Sequence, residues 1–161
     1  MRNFVAEFLA AYETVVRVDR QMTRPVYPNW MGRILHPELQ KTGPAEYDLV
    51  TNVESWRHDD QKKDVPIHGE AVYAYLEANN MLGSYLGVLD GLEIKKRGIG
   101  LYREVFGAPI FLMRSPIENL SGCVYVPCLL EVRKKKQDEV EMGWYYLGGR
   151  WHSDYYMPRF L

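Results

Sequence analysis

The most regular pattern in the chain is an alternation of apolar and polar residues through its C-terminal quarter. Every second position is mostly apolar in three successive stretches, the spacing that places side chains on one face of a β-strand. Gly148 and Gly149 separate the last two stretches and are typical of a two-residue hairpin. Residues 122–158 are therefore predicted to form an antiparallel meander. Its three apolar sets are Val124, Val126, Cys128, Leu130 and Val132; Val140, Met142, Trp144 and Tyr146; and Trp151, Ser153, Tyr155 and Met157.

The same pattern predicts how the strands pair. Placing Val132 opposite Val140 keeps the apolar residues of the first two strands on one face, and a slip of one residue would divide them. The glycine hairpin then sets Tyr145 beside His152 on the reverse face. The face that carries Trp144 is expected to cover the core, and the reverse face is expected to be an outer surface.

A different spacing marks the N-terminal segment. Asn3 is a suitable helix N-cap, and apolar residues then recur at alternating intervals of four and three, which predicts an amphipathic helix. The helix is expected to end before Arg24 and Pro25, because a residue that precedes proline disfavours helical backbone. We expect it to pack on the meander. Its apolar stripe consists of Phe4, Phe8, Ala11, Val15, Val18 and Met22.

Residues 24–66 contain most of the prolines and are the least regular part of the chain. A short helix at 30–35 and a strand at 47–53 are predicted within it. The nearly all-polar stretch 54–64 is interpreted as a solvated loop.

Helical spacing returns at 69–80 and 84–96, with a brief helix at 101–106 and a strand at 109–113. Gly87 and Gly91 are one helical turn apart, and we interpret them as sites of close helix packing rather than a ligand groove.

This order of elements predicts one α+β domain over residues 1–161. An N-terminal amphipathic helix and further helices are expected to pack on one face of a C-terminal antiparallel sheet of about four strands. The order is compatible with a cone-shaped cystatin-like or NTF2-like fold, although no motif of either is present.

Composition narrows the function classes. The chain has 161 residues, of which 47% are hydrophobic and 25% charged, with a formal net charge of −1. Near-neutral charge argues against general nucleic-acid binding, which depends on many phosphate contacts. No apolar run approaches the roughly 20 residues of a membrane helix, and the first residues do not fit a signal peptide. A soluble cytoplasmic protein is expected, with Cys123 and Cys128 as reduced thiols.

The outer face of the meander is the main candidate site. It combines tyrosines with a few charges, a composition enriched at protein interfaces. Aromatic rings give large contact area with little loss of conformational entropy. The candidate partner-binding residues are Tyr125, Arg133, Tyr145, Arg150, His152, Asp154 and Tyr156.

Signals for catalysis are weaker. His58 and Asp59, followed by Asp60, resemble a metal-binding His-Asp pair, but they stand in a stretch without apolar anchors. His68 is better explained as a helix cap. The sequence has no phosphate-binding loop of the GxxxxGK type and no GxSxG nucleophile elbow. No metal and no cofactor are therefore expected.

These observations favour a small non-catalytic protein-binding domain of the inhibitor, immunity or adaptor type. They favour a protein that is not an enzyme, but they do not decide the matter. Its partner would be another protein, with a homodimer left open. The alternative is a small-molecule enzyme or binder with an interior pocket, using His68, Asp90 or His152. Nucleic-acid binding through Tyr125, Tyr145 and the lysines at 134–136 is the least favoured.

Overall fold

The computed structural model describes residue 5 and residues 13–161, which form an α+β structure with about 26% helix and 31% strand. Its helices are α1 (Asp59–Lys62), α2 (Gly69–Ala78), α3 (Val88–Arg97) and α4 (Ile99–Val105), with short 3-10 turns at Pro37–Leu39 and Leu82–Ser84. Its strands are β1 (Val15–Arg17), β2 (Met31–Ile34), β3 (Glu46–Asp48), β4 (Val53–Trp56), β5 (Ile67–His68), β6 (Ile110–Phe111), β7 (Ile117–Asn119), β8 (Val124–Val132), β9 (Glu139–Tyr146), β10 (Arg150–Trp151) and β11 (Met157–Phe160).

The largest sheet has five antiparallel strands and is built around β8. One side of β8 pairs first with β7 and then with β6, and β2 extends the sheet beyond β7. The other side of β8 pairs with β9 along the full length of both strands. Three smaller two-stranded sheets join β1 to β3, β5 to β10, and β4 to β11.

The predicted register of β8 and β9 is wrong by one residue. Val132 lies opposite Glu139, and Val140 lies opposite Glu131. The reason is that β8 is buried on both faces: Leu129 and Val126 point to opposite sides and are both fully buried. Two registers that differ by one residue therefore both place apolar residues of β8 against a core. The alternation of apolar and polar residues cannot choose between these registers.

The two faces of the sheet cover two separate hydrophobic clusters. Leu129 and Val140 pack with residues of α3 and α4 on one face. Val126 and Cys128 pack with residues of α2 and with Trp151 on the other. Helices thus flank both faces, and the expectation that they cover one face only is wrong.

The chain turns at Gly148 as expected, but it does not return along β9. Instead β10 pairs with β5, so that Trp151 lies opposite Ile67. The indole packs against Phe111, with ring centroids 4.7 Å apart, and against Gly69, where a side chain would collide with it. Burying this large ring draws the chain away from β9.

The predicted N-terminal helix lies largely outside the described residues. Its expected C-terminal half is wrong, because residues 15–17 form β1 and pair with β3. Val16, Val18 and Arg20 are all buried, an inward set at every second position. That is strand periodicity, and it coincides with part of the helical stripe in the sequence.

The irregular region is more ordered than its composition suggests. Residues 31–34 form a strand instead of a helix, and 54–64 contains the end of β4 and helix α1. Gln61 of α1 is 1% exposed, and its side-chain amide donates to the carbonyls of His152 and Tyr155 at 3.1 and 3.3 Å. In the fold this buried amide has its hydrogen-bond partners. In the sequence alone, such a polar residue cannot be told from a residue of a solvated loop.

Other predictions are confirmed. The helix expected at 69–80 is observed as α2, and the close packing expected at Gly91 is present, because a Cβ there would lie 2.8 Å from Met142 Cε. Helix α3 begins at Val88 rather than at Ser84. Among the described residues, no helix has both the length and the hydropathy needed to span a bilayer.

Candidate binding surface

The seven predicted interface residues do not lie on one face. Tyr125 faces Tyr146 across β8 and β9, whereas Tyr145 shares a face with Val126. Because neighbouring strand positions point to opposite sides of a sheet, Tyr125 and Tyr145 are on opposite faces. The single outer face inferred from the sequence is therefore wrong.

Tyr145 takes part in the interior aromatic packing. Its ring centroid lies 5.0 Å from that of Phe111 and 6.3 Å from that of Trp151. Its hydroxyl is 3.3 Å from the hydroxyl of Tyr155. Burial, together with this contact, raises the pKa of Tyr155 to about 12. Most of the surface of Tyr145 is thus used by the fold.

Four of the remaining candidates lie in the C-terminal segment. Arg150 and His152 line a cleft of about 170 Å³. Asp154 is exposed, and the ring of Tyr156 carries the guanidinium of Arg57 at 5.3 Å. Arg133 is exposed directly after the end of β8. It flanks Glu131, and so stands at the other end of β8 from Tyr125.

The structure does bring three aromatic side chains together on the surface. Tyr125 lies 4.6 Å from Trp30 and 5.4 Å from Tyr146, measured between ring centroids. Trp30 is 40% exposed and Tyr146 is 44% exposed. We call these three residues the aromatic row. It runs across the sheet from the start of β2, through the start of β8, to the end of β9.

Strand pairing fixes the aromatic row. Tyr125 and Tyr146 are direct cross-strand partners, a position at which aromatic side chains stabilise each other. Trp30 immediately precedes Met31, which is paired with Asn119 of β7. Two of the rings are therefore carried by the adjacent strands β8 and β9, and the third by the turn that enters β2.

An ordered turn after β7 carries Leu120. Asn119 Oδ1 accepts hydrogen bonds from the backbone amides of Ser121 and Cys123 at 3.0 and 2.9 Å, and Gly122 has a φ of 83°. This turn holds Leu120 in place although it is 90% exposed. Leu120 directly follows Asn119, which pairs with Met31 at the start of β2.

A charged pair between β2 and β7 lies on the other face of the sheet from Tyr125. Arg33 Nε donates to Glu118 Oε1 at 2.9 Å, between β2 and β7. Interaction with the Cys123 thiol, with burial as a smaller cause, raises the pKa of Tyr146. Because Glu118 pairs with Val124 and Ile117 pairs with Tyr125, the charged pair is not part of the surface that carries the aromatic row.

Sequence reasoning missed most of this surface. Trp30 was assigned to a short helix and Tyr146 to the buried face, and Leu120 carried no signal. Only Tyr125 was both predicted and found there. The row depends on the register of β8 and β9 and on the pairing of β2 with β7, and the sequence pattern did not determine either.

A second distinctive cluster is buried and charged. Asp90 is completely inaccessible and accepts hydrogen bonds from Arg20 Nη2, the Tyr47 hydroxyl and the Gly87 amide, each at 2.8 Å. Arg114 Nη1 lies 3.8 Å from the same carboxylate. Burial, with the Asp90 charge, raises the pKa of Tyr47, and burial lowers the pKa of Arg114.

The cluster joins distant parts of the chain. Arg114 also donates to the carbonyls of Thr42 and Gly83 at 2.6 and 2.8 Å, and Arg20 donates to the carbonyl of Pro44. Asp90 itself caps the start of α3 through Gly87. With both carboxylate oxygens occupied and no access to solvent, Asp90 is positioned for stability and not for acid–base chemistry.

The histidine candidates are also placed by the structure. His58 Nδ1 accepts from the Asp60 amide at 3.1 Å and caps α1. His68 stands at the N-cap of α2 without capping it, and its ring is instead 3.0 Å from the carbonyl of Gly148. No group of three or more His, Cys, Asp or Glu that could hold a metal ion is found within the described part of the chain.

No protein-family model, no curated protein and no solved structure matches this chain. The cystatin-like or NTF2-like cone stays a prediction, since the observed architecture establishes the coarser α+β class with antiparallel sheets.

Proposed function

We propose that the protein is a non-catalytic protein-binding domain whose interface centres on the aromatic row and Leu120. The observation that carries this proposal is the contact of Trp30, Tyr125 and Tyr146 on the surface of one sheet. Residues that dominate binding energy at protein interfaces are enriched in Trp and Tyr and cluster near the interface centre.

The way these rings are held supports the same function. Interface side chains lose conformational freedom on binding, at a cost of roughly 0.5–1.5 kcal/mol for each flexible side chain that becomes ordered. Rings already fixed by cross-strand contacts avoid part of this cost.

Of the residues predicted from the sequence, the proposed interface retains Tyr125. Its other members are Trp30, Tyr146 and Leu120. Arg150, His152, Asp154 and Tyr156 stay a prediction for a second contact region, as does Arg133. Inhibitor, immunity and adaptor roles all use a preformed surface of this kind, and the partner is proposed to be a protein with an apolar pocket for Trp30 or Leu120.

The small-molecule alternative is less favoured. The cleft beside His152 has a volume of about 170 Å³, below the roughly 300–1,000 Å³ usual for ligand pockets. Asp90 is committed to the buried cluster, and neither Asp90 nor His68 lines that cleft. Three acid–base candidates that do not converge give little basis for a reaction.

The test uses the full chain as bait with a double variant, Trp30→Ala with Tyr125→Ala. A partner captured by the wild type is expected to be lost, with an affinity loss of about 30-fold or more, because interface hot spots contribute at least about 2 kcal/mol each. Tyr75→Ala is the matched control, since Tyr75 is 42% exposed and stacks on Trp56 with ring centroids 6.1 Å apart.

Circular dichroism and the urea midpoint of each variant separate a lost interface from a lost fold. Unchanged partner affinity in a folded Trp30→Ala, Tyr125→Ala variant would contradict the proposal. Equal losses in that variant and in Tyr75→Ala would also contradict it, because the effect would not be specific to the aromatic row.

A further inference from the structure

Strand β9 forms one long edge of the five-stranded sheet. It pairs with β8 from Glu139 to Tyr146. Within residues 13–161, no strand pairs with its other side. The backbone groups on that side therefore need a partner or water.

The identity of the outward groups follows from the hydrogen-bond pattern. The Leu147 amide donates to the Val124 carbonyl at 2.9 Å, which makes these two residues a hydrogen-bonded pair. Hydrogen-bonded and non-hydrogen-bonded pairs alternate along an antiparallel ladder. Four residues of β9 consequently direct both N–H and C=O away from β8: Val140, Met142, Trp144 and Tyr146.

Pro127 gives an independent check on this assignment. It lies opposite Trp144, and its carbonyl accepts from the Leu112 amide, on the side of β8 away from β9. Proline has no N–H to donate, so it fits a position that makes no bond to β9. No residue of the described chain hydrogen-bonds to the outward backbone groups of β9.

The opposite edge of the sheet has more of the features that prevent edge pairing than β9 has. Strand β2 has four residues, a register irregularity between Met31 and Arg33, and a charged side chain paired to Glu118. Short length, bulges and charges are the usual devices that prevent edge pairing. Strand β9 has eight residues, a continuous register and no proline.

We propose that a second copy of this chain covers the edge, by antiparallel pairing of β9 with β9 of its partner. A two-fold axis at Gly143 would make hydrogen-bonded pairs of Val140 with Tyr146 and of Met142 with Trp144. All eight outward groups of each strand would then be satisfied. Such an interface is isologous and closes at a dimer.

Side-chain chemistry supports pairing with a second copy in this register. Gly143 would meet Gly143 at a non-hydrogen-bonded position, where Cα atoms approach to about 4.5 Å and side chains are closest. Glu141 would lie opposite Tyr145, so the carboxylates of β9 would not face each other. Lys134 already neutralises Glu139 at 2.8 Å and pairs with Glu141 as well.

A charged side chain at position 143, on the proposed two-fold axis, tests this arrangement. Gly143→Glu would place two carboxylates against each other in the dimer. In the monomer a Cβ at Gly143 would make ordinary contacts of 3.5 Å with Cys128 and 3.6 Å with Leu130. Sedimentation of the full chain is expected to show a dimer that Gly143→Glu weakens at least tenfold. Gly143→Ala, the matched control, should leave the dimer intact.

Residue-resolved hydrogen exchange tests the pairing itself. The outward amides of Val140, Met142, Trp144 and Tyr146 are expected to be protected in the dimer and to exchange faster on dilution, whereas the amides bonded to β8 stay protected. A monomer at all concentrations would overturn the proposal, whether its outward amides are open or are covered by another segment of the chain. A dimer that Gly143→Glu does not weaken would overturn it too.

The proposed dimer interface shares one residue, Tyr146, with the aromatic row, but the pairing uses the backbone of β9 and not the rings of the row. Trp30 immediately precedes β2 and Tyr125 lies on β8, so the Trp30→Ala, Tyr125→Ala variant leaves the edge of β9 unchanged. Loss of the dimer in Gly143→Glu with partner binding retained, or the reverse in the Trp30→Ala, Tyr125→Ala variant, would separate the two interfaces.

Discussion

The charged cluster around Asp90 and the aromatic row around Tyr125 use side chains against their usual preferences. In the cluster, two guanidinium groups and a carboxylate are almost entirely buried, at 6%, 1% and 0% exposure for Arg20, Arg114 and Asp90. In the row, large apolar rings are held in fixed positions on the surface. A buried charge is expensive unless it is paired, and an ordered exposed ring gains nothing from the core. The first arrangement therefore contributes to the architecture, and the second is available for binding.

The largest effect that this comparison predicts is at Asp90. Asp90→Ala would leave Arg20 and Arg114 buried without their counter-charge, and breaking a buried pair typically costs about 3–5 kcal/mol. Urea unfolding should show this as a large fall in the midpoint. Glu118→Ala, which breaks the exposed pair with Arg33, should leave the midpoint nearly unchanged. If the two variants are equally stable, the cluster does not have the structural role assigned to it.

The contrast also shows what the sequence could and could not predict. Helix α2 was predicted because its apolar residues recur at helical spacing and its end is marked by Asn79. The presence of strands at 124–132 and 140–146 was predicted from alternation. Alternation failed at the register, because both faces of β8 are buried and residues of either parity are apolar.

Long-range polar contacts were beyond the reach of local patterns. Arg20 and Asp90 are separated by 70 positions, and no spacing rule connects them. Arg20 falls within the predicted N-terminal helix but outside its apolar stripe, and Asp90 is an acid–base candidate in the sequence. The aromatic row depends in the same way on pairing between β2, β7, β8 and β9, so its members became neighbours only in the folded sheet.

A smaller effect is expected where the interior packs most tightly. A Cβ at Gly91 would collide with Leu112 and lie 2.8 Å from Met142 Cε, and overpacking of this kind typically costs about 1–3 kcal/mol. Gly91→Ala should therefore lower the urea midpoint. Gly100→Ala is the matched control, because Gly100 is also helical but has open space around it. Replacing a helical glycine with alanine there should stabilise by about 0.5–1 kcal/mol.

The informative result is which of the two glycine variants has the higher urea midpoint. If Gly91→Ala were as stable as Gly100→Ala, the contact between α3 and the sheet would be loose. The close packing that holds β9 against the interior would then not be present.

The smallest predicted effect is on the reactivity of cysteine thiols. The comparison is between the interior of β8 and the surface end of that strand, where the aromatic row lies. Cys128 is buried at 6% exposure, and burial raises its pKa to about 11. Thiolate is the reactive form of cysteine, so at pH 8 only about one Cys128 in a thousand is reactive. Cys123 is partly exposed beside Tyr146. A thiol reagent at pH 8 should modify one site in the folded protein and both in denaturant.

Single variants assign the two rates. Cys128→Ser should retain the fast reaction, and Cys123→Ser should leave only the slow one. Because the pKa of Cys128 is raised and not lowered, its rate should increase with pH up to about 11. Rapid modification of Cys128 at pH 8 in the native protein would mean that the face of β8 beneath α2 opens readily. The distinction between a closed interior and an accessible aromatic row would then fail at the strand that both regions share.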